Sequence, residues 1–404
     1  MTIIIMSAIV SLLFDFSVMI AFAIIAYLIS HKIKQPANIL IIIAGIIIGP
    51  SILGLVHYTD AVSIIARTGG IFLLFLIGLG VSFTEIFNRR SIIVGISGAF
   101  LSFVGGIIVS YFFGFDFLSS MFIGTVITSS CIAMTADVLR RIGRVDTVTS
   151  KLILSAAIID NIIGLIILSS ITVFYTGTSV INISVTLAAI IAFIVLVIFT
   201  GTRLIPRFID RFDRYFGIVI PHITFMLGIC IVFIFAFIAE SIGLLASVGA
   251  FLAGVAMSKS LSNRFLQHGG EYIEVIYGAI FFAAIGIATD ISVLWLMAPF
   301  IVALSFVAIL TKFVGCSYAA RKFKIKRKYS IIAGIGMAPR GEVAFVIALN
   351  GLAVGIVSKQ VYSAIVFVSF ITTVFALVTL KKLYEGNYKI NSQPKPKEKS
   401  IVVK

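Results

Sequence analysis

Asp160 and Asn161 are adjacent polar residues in an otherwise apolar stretch, residues 155–168. A carboxylate at the centre of a bilayer costs about 2.5–3.5 kcal/mol on insertion scales. Such a cost usually has a reason: a partner charge, a bound cation or a proton to carry. The Asn161 amide adds an oxygen that can coordinate a cation but cannot titrate. The function of this chain therefore depends on what Asp160 binds.

Three other charged residues fall inside apolar runs and are candidate partners for Asp160: Lys312, Arg340 and Glu342. Lys312 is either a counter-charge that a cation or proton displaces, or a lysine that extends to the cytoplasmic interface. Arg340 and Glu342 either form a local ion pair or take part directly in transport. Thr128, Ser129 and Ser130 offer oxygen ligands for a hard cation, or are small residues that serve helix packing.

Two of the apolar runs are interrupted by residues that weaken helices. One interruption follows Gly124 and includes Thr128 to Cys131, and the other spans Gly334 to Glu342 and includes Pro339. Broken helices at membrane depth are tolerated where they line a cavity or are buried in protein, and a pair of them indicates a transporter's binding site. The two runs are seven spans apart, and an odd offset is what an inverted repeat requires.

Composition indicates a polytopic, all-helical membrane protein. The chain has 404 residues, of which 60% are hydrophobic and 12% charged, with a mean hydropathy of +1.20. Apolar runs long enough to cross a bilayer recur throughout. About thirteen are predicted, at roughly 7–30, 37–56, 63–86, 91–113, 117–139, 150–174, 181–201, 217–239, 243–258, 271–289, 291–315, 329–350 and 356–382.

The distribution of basic residues predicts orientation. The net charge is +15, and 27 of the 31 Lys and Arg fall on alternate loops and in the tail. This pattern argues against nucleic acid as a partner. It places the N-terminus outside and the C-terminus in the cytoplasm of a cell-membrane protein, because cytoplasmic loops carry the excess of Lys and Arg. Residues 202–216 are expected to form an amphipathic cytoplasmic connecting loop, and residues 383–404 a basic tail that is disordered or lies on lipid headgroups.

Enzyme motifs are missing from the sequence. An intramembrane aspartyl protease needs a Gly-x-Gly-Asp element, and no hydrolase elbow or His-Glu-x-x-His is present. We therefore expect no enzymatic activity and no cofactor. Cys131, Cys230 and Cys316 all lie in apolar runs without metal-site spacing, and we interpret them as small packing residues.

Several motifs in order resemble the cation/proton antiporter superfamily, in the branch of NapA-type sodium/proton exchangers and Kef-type potassium efflux systems. The resemblance runs from about residue 10 to 382. The motifs that carry it are Gln35-Pro36, residues 44–55, Phe75 to Leu79, Thr128 to Ala133, residues 138–143, residues 156–164, Phe281 to Gly286, Lys312, and Met337 to Glu342.

This resemblance implies a homodimer and two groups of spans within a transmembrane domain at residues 1–382. A scaffold would contain spans at about 7–86 and 217–289. A core that moves like an elevator would contain spans at about 91–174 and 291–382, with the two broken helices crossing in it. Asp160 matches the first acid of the family's Asp-Asp pair, and Lys312 matches the core lysine that pairs with it. Asn161 departs from the pattern, because the second position of the family's pair is usually an acid. That acid is usually the principal carrier of the ion and the proton.

The sequence thus predicts a secondary antiporter that exchanges Na⁺, or else K⁺ or Li⁺, for H⁺. Asp160 is the expected coupling carboxylate and Na⁺ ligand, with Asn161 and oxygens of Thr128 to Ser130 completing the cation site. Lys312, Arg340 and Glu342 are the expected charge partners. Two alternatives stay open: a K⁺/H⁺ exchanger, and an ion-sensing or regulatory protein that kept the fold and lost exchange with the second acid.

Overall fold

The computed structural model describes residues 2–33, 35–80, 88–144, 147–175, 180–217, 220, 222–242 and 244–385. Every regular element within these ranges is a helix. Those of the first half are α1 Thr2–Ile33, α2 Ala37–Ile48, α3 Asp60–Leu79, α4 Arg89–Phe112, α5 Phe117–Thr128, α6 Ile132–Arg141, α7 Val148–Tyr175 and α8 Val180–Phe212, which continues as a π-helical turn, Asp213–Gly217.

The second half is also built of helices. Its helices are α9 Ile223–Ser241, α10 Ala246–Met257, α11 Asn263–Ile273, a π-helical segment Glu274–Gly278, α12 Ala279–Ala288, α13 Val293–Leu296, α14 Ala298–Lys322, α15 Arg327–Gly336, α16 Glu342–Val354 and α17 Lys359–Glu385. The prediction of an all-α protein is therefore confirmed.

Many of these helices have the length and apolarity of membrane spans. Eight stretches of the described residues are long and apolar enough to cross a bilayer, and four shorter apolar helices accompany them, namely Ala37–Ile48, Phe117–Thr128, Ala246–Met257 and Glu342–Val354. The protein is thus a multi-pass membrane protein. The figure of about thirteen spans stays a prediction.

Both predicted helix breaks are present, and they contact each other. The first lies between α5 and α6, where Ser129 is extended (φ −70°, ψ 136°). The second lies between α15 and α16 and contains Pro339, which has no backbone N–H to continue a helix. The Cys131 N–H donates to the Pro339 carbonyl at 2.8 Å. The two broken helices therefore cross at their breaks, as predicted.

The order of helices repeats along the chain. The unit α4, α5–α6 and α7 has 24, 12 plus 10 and 28 residues. The unit α14, α15–α16 and α17 has 25, 10 plus 13 and 27 residues. In both units an unbroken helix precedes a broken one and another unbroken helix follows. This is the order expected of the predicted repeats.

Helix packing falls into two groups. One contains α4 to α7 with α14 to α17, and the other contains α1 to α3 with α8 to α12. Glycines allow two close approaches in the second group. A Cβ at Gly49 would lie 2.9 Å from Ile287 Cα, where α2 meets α12, and one at Gly78 would lie 2.9 Å from the Val255 nitrogen, where α3 meets α10. Small residues at helix contacts are typical of membrane proteins.

The prediction of a loop at residues 202–216 is wrong. α8 continues to Phe212 and passes into the π-helical turn. The reason is amphipathicity: Ile205 and Ile209 lie on one face and belong to an apolar cluster that also contains Phe75 and Leu79 of α3. The arginines that suggested a loop occupy the other faces of a helix.

Several predicted features lie partly outside the described residues. They are the end of the predicted third span (81–86), residues 218, 219 and 221 of the predicted span 217–239, residue 243 of the span 243–258, and residues 386–404 of the predicted tail. The tail prediction began at 383, whereas α17 continues to Glu385.

Orientation gives a testable prediction, because the basic residues alternate between loops. We expect a cysteine placed at Lys326 to be labelled only from the cytoplasm and one at Asp60 only from outside. Both side chains are exposed at helix ends, so labelling reports sidedness and not burial. The cysteines for labelling are introduced into a variant that lacks Cys230, because Cys230 is exposed whereas Cys131 and Cys316 are buried. The opposite accessibility at either position contradicts the predicted orientation.

Candidate functional site

Asp160 lies near the middle of α7 with its side chain fully buried, and Lys312 of α14 reaches it. The Lys312 Nζ is 2.5 Å from Asp160 Oδ2, and neither side chain is exposed. An isolated buried charge of either sign is strongly unfavourable, so each side chain stabilises the other. Lys312 therefore does not extend to the membrane interface but lies beside Asp160 as its counter-charge. Displacement of Lys312 by a cation or proton stays a prediction.

Ser130, in the first helix break, holds the acid and the amide together. Its backbone N–H lies 3.3 Å from Asp160 Oδ1 and 3.0 Å from Asn161 Oδ1. The Asn161 amide donates back to the Ser130 carbonyl at 3.0 Å. The Ser130 hydroxyl is 2.8 Å from Asp160 Oδ2 and 2.7 Å from the Met337 carbonyl. Since a hydroxyl has one proton, it donates to one of these oxygens at a time.

Space for the lysine comes from a glycine on α4. A Cβ at Gly98 would collide with Cys316 Sγ and lie 3.6 Å from Lys312 Nζ. Gly98 therefore lets α4 approach α14 while the ammonium stays beside Asp160.

Arg340 is buried in the second break, where its hydrogen bonds go to carbonyl oxygens. Nη1 donates to Ser129 O and Met337 O, each at 3.3 Å, and Nη2 donates to Ala308 O at 3.0 Å. These carbonyls belong to both breaks and to α14. The guanidinium thus joins three segments and places a positive charge where the C-terminal ends of α5 and α15 meet.

Glu342 is not paired with Arg340, so the local ion pair considered from the sequence is absent from the described residues. Glu342 begins α16, and its side chain is 2% exposed. Cys131 Sγ donates to Glu342 Oε2 at 3.0 Å. Oε1 has no hydrogen-bond partner within the part of the chain that the structure describes.

Thr128 and Ser129 contribute less directly than Ser130 to the surroundings of Asp160. The Thr128 hydroxyl donates to the Gly124 carbonyl at 2.8 Å, within its own helix. The Ser129 hydroxyl is buried without a partner among the described residues, and its carbonyl accepts from Arg340. Of the three predicted hydroxyl ligands, the structure brings only that of Ser130 onto Asp160.

The oxygens around Asp160 are the ligand type that hard alkali cations prefer. They come from the Asp160 carboxylate, the Asn161 side chain, the Ser130 hydroxyl and the Met337 carbonyl. In the structure these groups are held by the Lys312 ammonium and by Ser130. A small cation at this place would replace the ammonium as the positive partner of Asp160.

Comparisons with known proteins identify the family. A family profile described as "Sodium/hydrogen exchanger, transmembrane" matches residues 19–385. The chain belongs to the sodium/hydrogen exchanger family. Within the same superfamily, it is 30% identical over 355 residues to the Na(+)/H(+)-K(+) antiporter GerN of Bacillus cereus, covering 87% of this chain and 91% of GerN.

Two further comparisons agree with this family. The exchanger is 27% identical over 361 residues to a Na(+)/H(+) antiporter of Enterococcus hirae, covering 87% of this chain and 93% of the relative. Its fold matches the sodium proton antiporter MjNhaP1 of Methanocaldococcus jannaschii with a TM-score of 0.72 and 14% identity, covering 94% of this chain and 98% of MjNhaP1. The resemblance to the cation/proton antiporter superfamily is therefore confirmed.

Two contributors to the exchanger's candidate site escaped the sequence interpretation. The sequence predicts Cys131 as a packing residue; it is buried, but its thiol also donates to Glu342. The Met337 carbonyl is an acceptor for the Ser130 hydroxyl. This is a backbone contact, so the type of side chain at position 337 does not predict it. Their positions next to the two predicted helix breaks were the available signal, because broken helices expose backbone and side-chain polar groups together.

Proposed function

We propose that the exchanger is a secondary antiporter that moves Na⁺ and H⁺ in opposite directions across the cell membrane. The observation that carries this proposal is the fully buried Lys312–Asp160 pair at the crossing of two broken helices. A buried charge pair is a poor source of stability compared with apolar packing. Its position at the crossing instead suits ion binding. The names of the relatives support Na⁺ as the cation.

In this proposal Asp160 binds the cation and the Lys312 ammonium alternately. When Na⁺ arrives, Asp160, Asn161 Oδ1, Ser130 Oγ and the Met337 carbonyl surround it, and Lys312 leaves the carboxylate. An ammonium without its counter-charge in a buried place favours loss of its proton. One cation thus displaces at least one proton. Arg340 stays bonded to carbonyls and fixes the geometry of the crossing.

The two packing groups suggest how the site reaches both sides of the membrane. α4 to α7 with α14 to α17 contain all the candidate site residues and would form the core. Of the other group, α1 to α3 with α9 to α12 would form the scaffold, and α8 would connect the two. Movement of the core against the scaffold would expose the site alternately. The contact of α3 with α16 is one place where the groups would slide.

A K⁺/H⁺ exchanger is the second candidate, because the relatives include the K(+)/H(+) antiporter subunit KhtU of Bacillus subtilis, 26% identical over 394 residues. The deciding experiment uses purified exchanger in liposomes with an imposed pH gradient and a fluorescent pH indicator. Addition of Na⁺, Li⁺ or K⁺ should dissipate the gradient, with Na⁺ effective at the lowest concentration. A lower half-maximal concentration for K⁺ selects the second candidate. No response to any cation contradicts exchange.

Asn161 gives a prediction that separates exchange from a non-exchanging relative. Asn161→Asp restores the acid pair of the superfamily, so it should raise the rate and change the proton-to-cation ratio. The added carboxylate would stand beside Asp160, where two like charges favour uptake of a proton. The initial rate of exchange is measured in the same liposomes. The proton-to-cation ratio follows from the Na⁺ gradient at which the net flux reverses. A silent parent with an active Asn161→Asp variant would support the ion-sensing alternative.

We also propose a homodimer, with membrane lipid as its surroundings. The support is the membership of the antiporter superfamily and the apolar exposed faces of helices such as α9. Native mass spectrometry from mild detergent and from lipid discs should give twice the chain mass. A monomer under both conditions contradicts the dimer.

A further inference from the structure

Glu342 is a buried carboxylate, 2% exposed, that the proposed cation site does not use. Its only hydrogen bond from another residue's side chain in the described structure comes from Cys131, and Oε1 has none. No cationic side chain of the described residues lies within ion-pair distance, since the Arg340 guanidinium is bonded to carbonyls. A carboxyl group in such surroundings has room for a proton on Oε1.

Two opposing effects act on the charge of this group. Burial without a cationic partner favours the neutral, protonated form. The N-terminal end of α16, where Glu342 is the first residue, has unpaired N–H groups and a partial positive charge, which favour the carboxylate. The Cys131 thiol donates to Oε2 in either form. Both protonation states are therefore supported by the same contacts, as a proton carrier requires.

A cavity beside the middle of α16 would bring water close to Glu342. It has a volume of about 110 Å³, room for several water molecules. Its walls include Arg67, Glu240, Ser247, Phe281, Val346 and Asn350. Val346 and Asn350 follow Glu342 by four and eight residues, so all three lie on one face of the helix. One helical turn, about 5–6 Å, separates Glu342 from the cavity wall.

The floor of this cavity is a contact between the two packing groups. A Cβ at Gly70 of α3 would lie 3.3 Å from Val346 Cγ2 and 3.3 Å from the ring of Phe281. The absence of a side chain at Gly70 lets α3 meet α16 closely. Sliding of α16 along α3 would separate these groups and connect the cavity to Glu342.

We propose that Glu342 is a second proton carrier of the exchange cycle and supplies the titratable group that Asn161 lacks. The inference rests on the proposed antiport. On one side of the membrane Glu342 takes a proton from water in this cavity, and on the other side it gives that proton to water. Together with the Lys312 proton, two protons move against one Na⁺. One net positive charge therefore moves with the protons in each cycle.

The stoichiometry makes the inference measurable as a balance of gradients. For two protons per Na⁺ at zero membrane potential, the Na⁺ ratio that stops net flux is the square of the proton ratio. A tenfold proton gradient is then balanced by a roughly hundredfold Na⁺ gradient. With one proton per Na⁺ it is balanced by a roughly tenfold gradient.

The experiment uses proteoliposomes with equal K⁺ on both sides and valinomycin, which holds the membrane potential at zero. Glu342→Gln keeps the shape of the side chain. It should lower the Na⁺ gradient that balances a tenfold proton gradient from about hundredfold to about tenfold. Glu342→Asp should keep the hundredfold balance. Glu271→Gln is the matched control, since Glu271 is exposed and lies beside the exposed His268, and it should behave like the parent.

Three results overturn the inference: a tenfold balance in the parent, a hundredfold balance in Glu342→Gln, or a tenfold balance in Glu271→Gln. If Glu342→Gln shows no proton-coupled flux, Na⁺/Na⁺ counterflow decides. Retained counterflow supports the role of Glu342 as a proton carrier. Loss of counterflow shows that Glu342 has a structural role instead. A silent parent refutes the proposed antiport itself, so the two failures are distinguishable.

Discussion

Replacement of Asp160 by asparagine is expected to reduce cation/proton exchange to the level of empty liposomes. The substitution keeps the size of the side chain and its acceptor for Ser130, but it removes the charge that binds both Na⁺ and Lys312. An amide cannot titrate, so the cation and the Lys312 ammonium lose their common partner. The measurement is the initial rate of Na⁺-induced pH change in proteoliposomes, with size-exclusion chromatography to confirm folding.

A matched control for this prediction is Asp116→Asn. Asp116 caps the N-terminus of α5, where it accepts from the Ser119 N–H at 3.0 Å, and hydrogen bonds from Ser119 lower the pKa of its carboxyl group. Asparagine caps helices as well as aspartate does. Exchange should therefore persist in this variant. If Asp160→Asn exchanges as fast as Asp116→Asn, Asp160 is not the coupling carboxylate.

The second large effect is expected for Lys312→Gln. Removal of one partner of a buried ion pair leaves the other charge uncompensated and often costs about 3–5 kcal/mol. We expect a lower melting temperature and a changed pH profile of exchange, because Asp160 must then find another partner for its charge. Thermal unfolding followed by intrinsic fluorescence measures the first effect, and flux at several pH values measures the second.

A double-variant cycle identifies the cause of any destabilisation. Asp160→Asn with Lys312→Gln removes both charges, so it should be more stable than Lys312→Gln alone. That coupling is the signature of a direct pair. If the two single effects add, or if Lys312→Gln leaves both melting and pH profile unchanged, the two residues do not act as a pair in the membrane.

Several features could be predicted from sequence because the bilayer makes polar residues conspicuous. Asp160 and Lys312 stand out in apolar runs, and Pro339 with its neighbouring glycines marks a helix break. The same reasoning failed at residues 202–216, where the basic residues of an amphipathic helix suggested a loop. Helix periodicity in Ile205 and Ile209 was the better signal, since both are on the buried face.

The partners of Arg340 and Glu342 could not be predicted. Opposite charges two residues apart suggest an ion pair, but the second break turns the two side chains toward different groups. Cys131 and Glu342 are separated by 211 residues in sequence, and they meet only because the two breaks cross. Such contacts depend on the three-dimensional crossing, which local sequence does not specify. The division into core and scaffold stays a prediction that rests on the family resemblance.

In the proposed antiport, a cation and protons compete for the surroundings of Asp160. Its most direct test is titration calorimetry of Na⁺ binding to the purified exchanger in buffers with different ionisation enthalpies, which counts the protons released per bound cation. Na⁺ binding to the parent should release at least one proton per cation, and Na⁺ addition to Asp160→Asn should release none. Na⁺ binding without proton release, or equal release by Asp160→Asn, would contradict it.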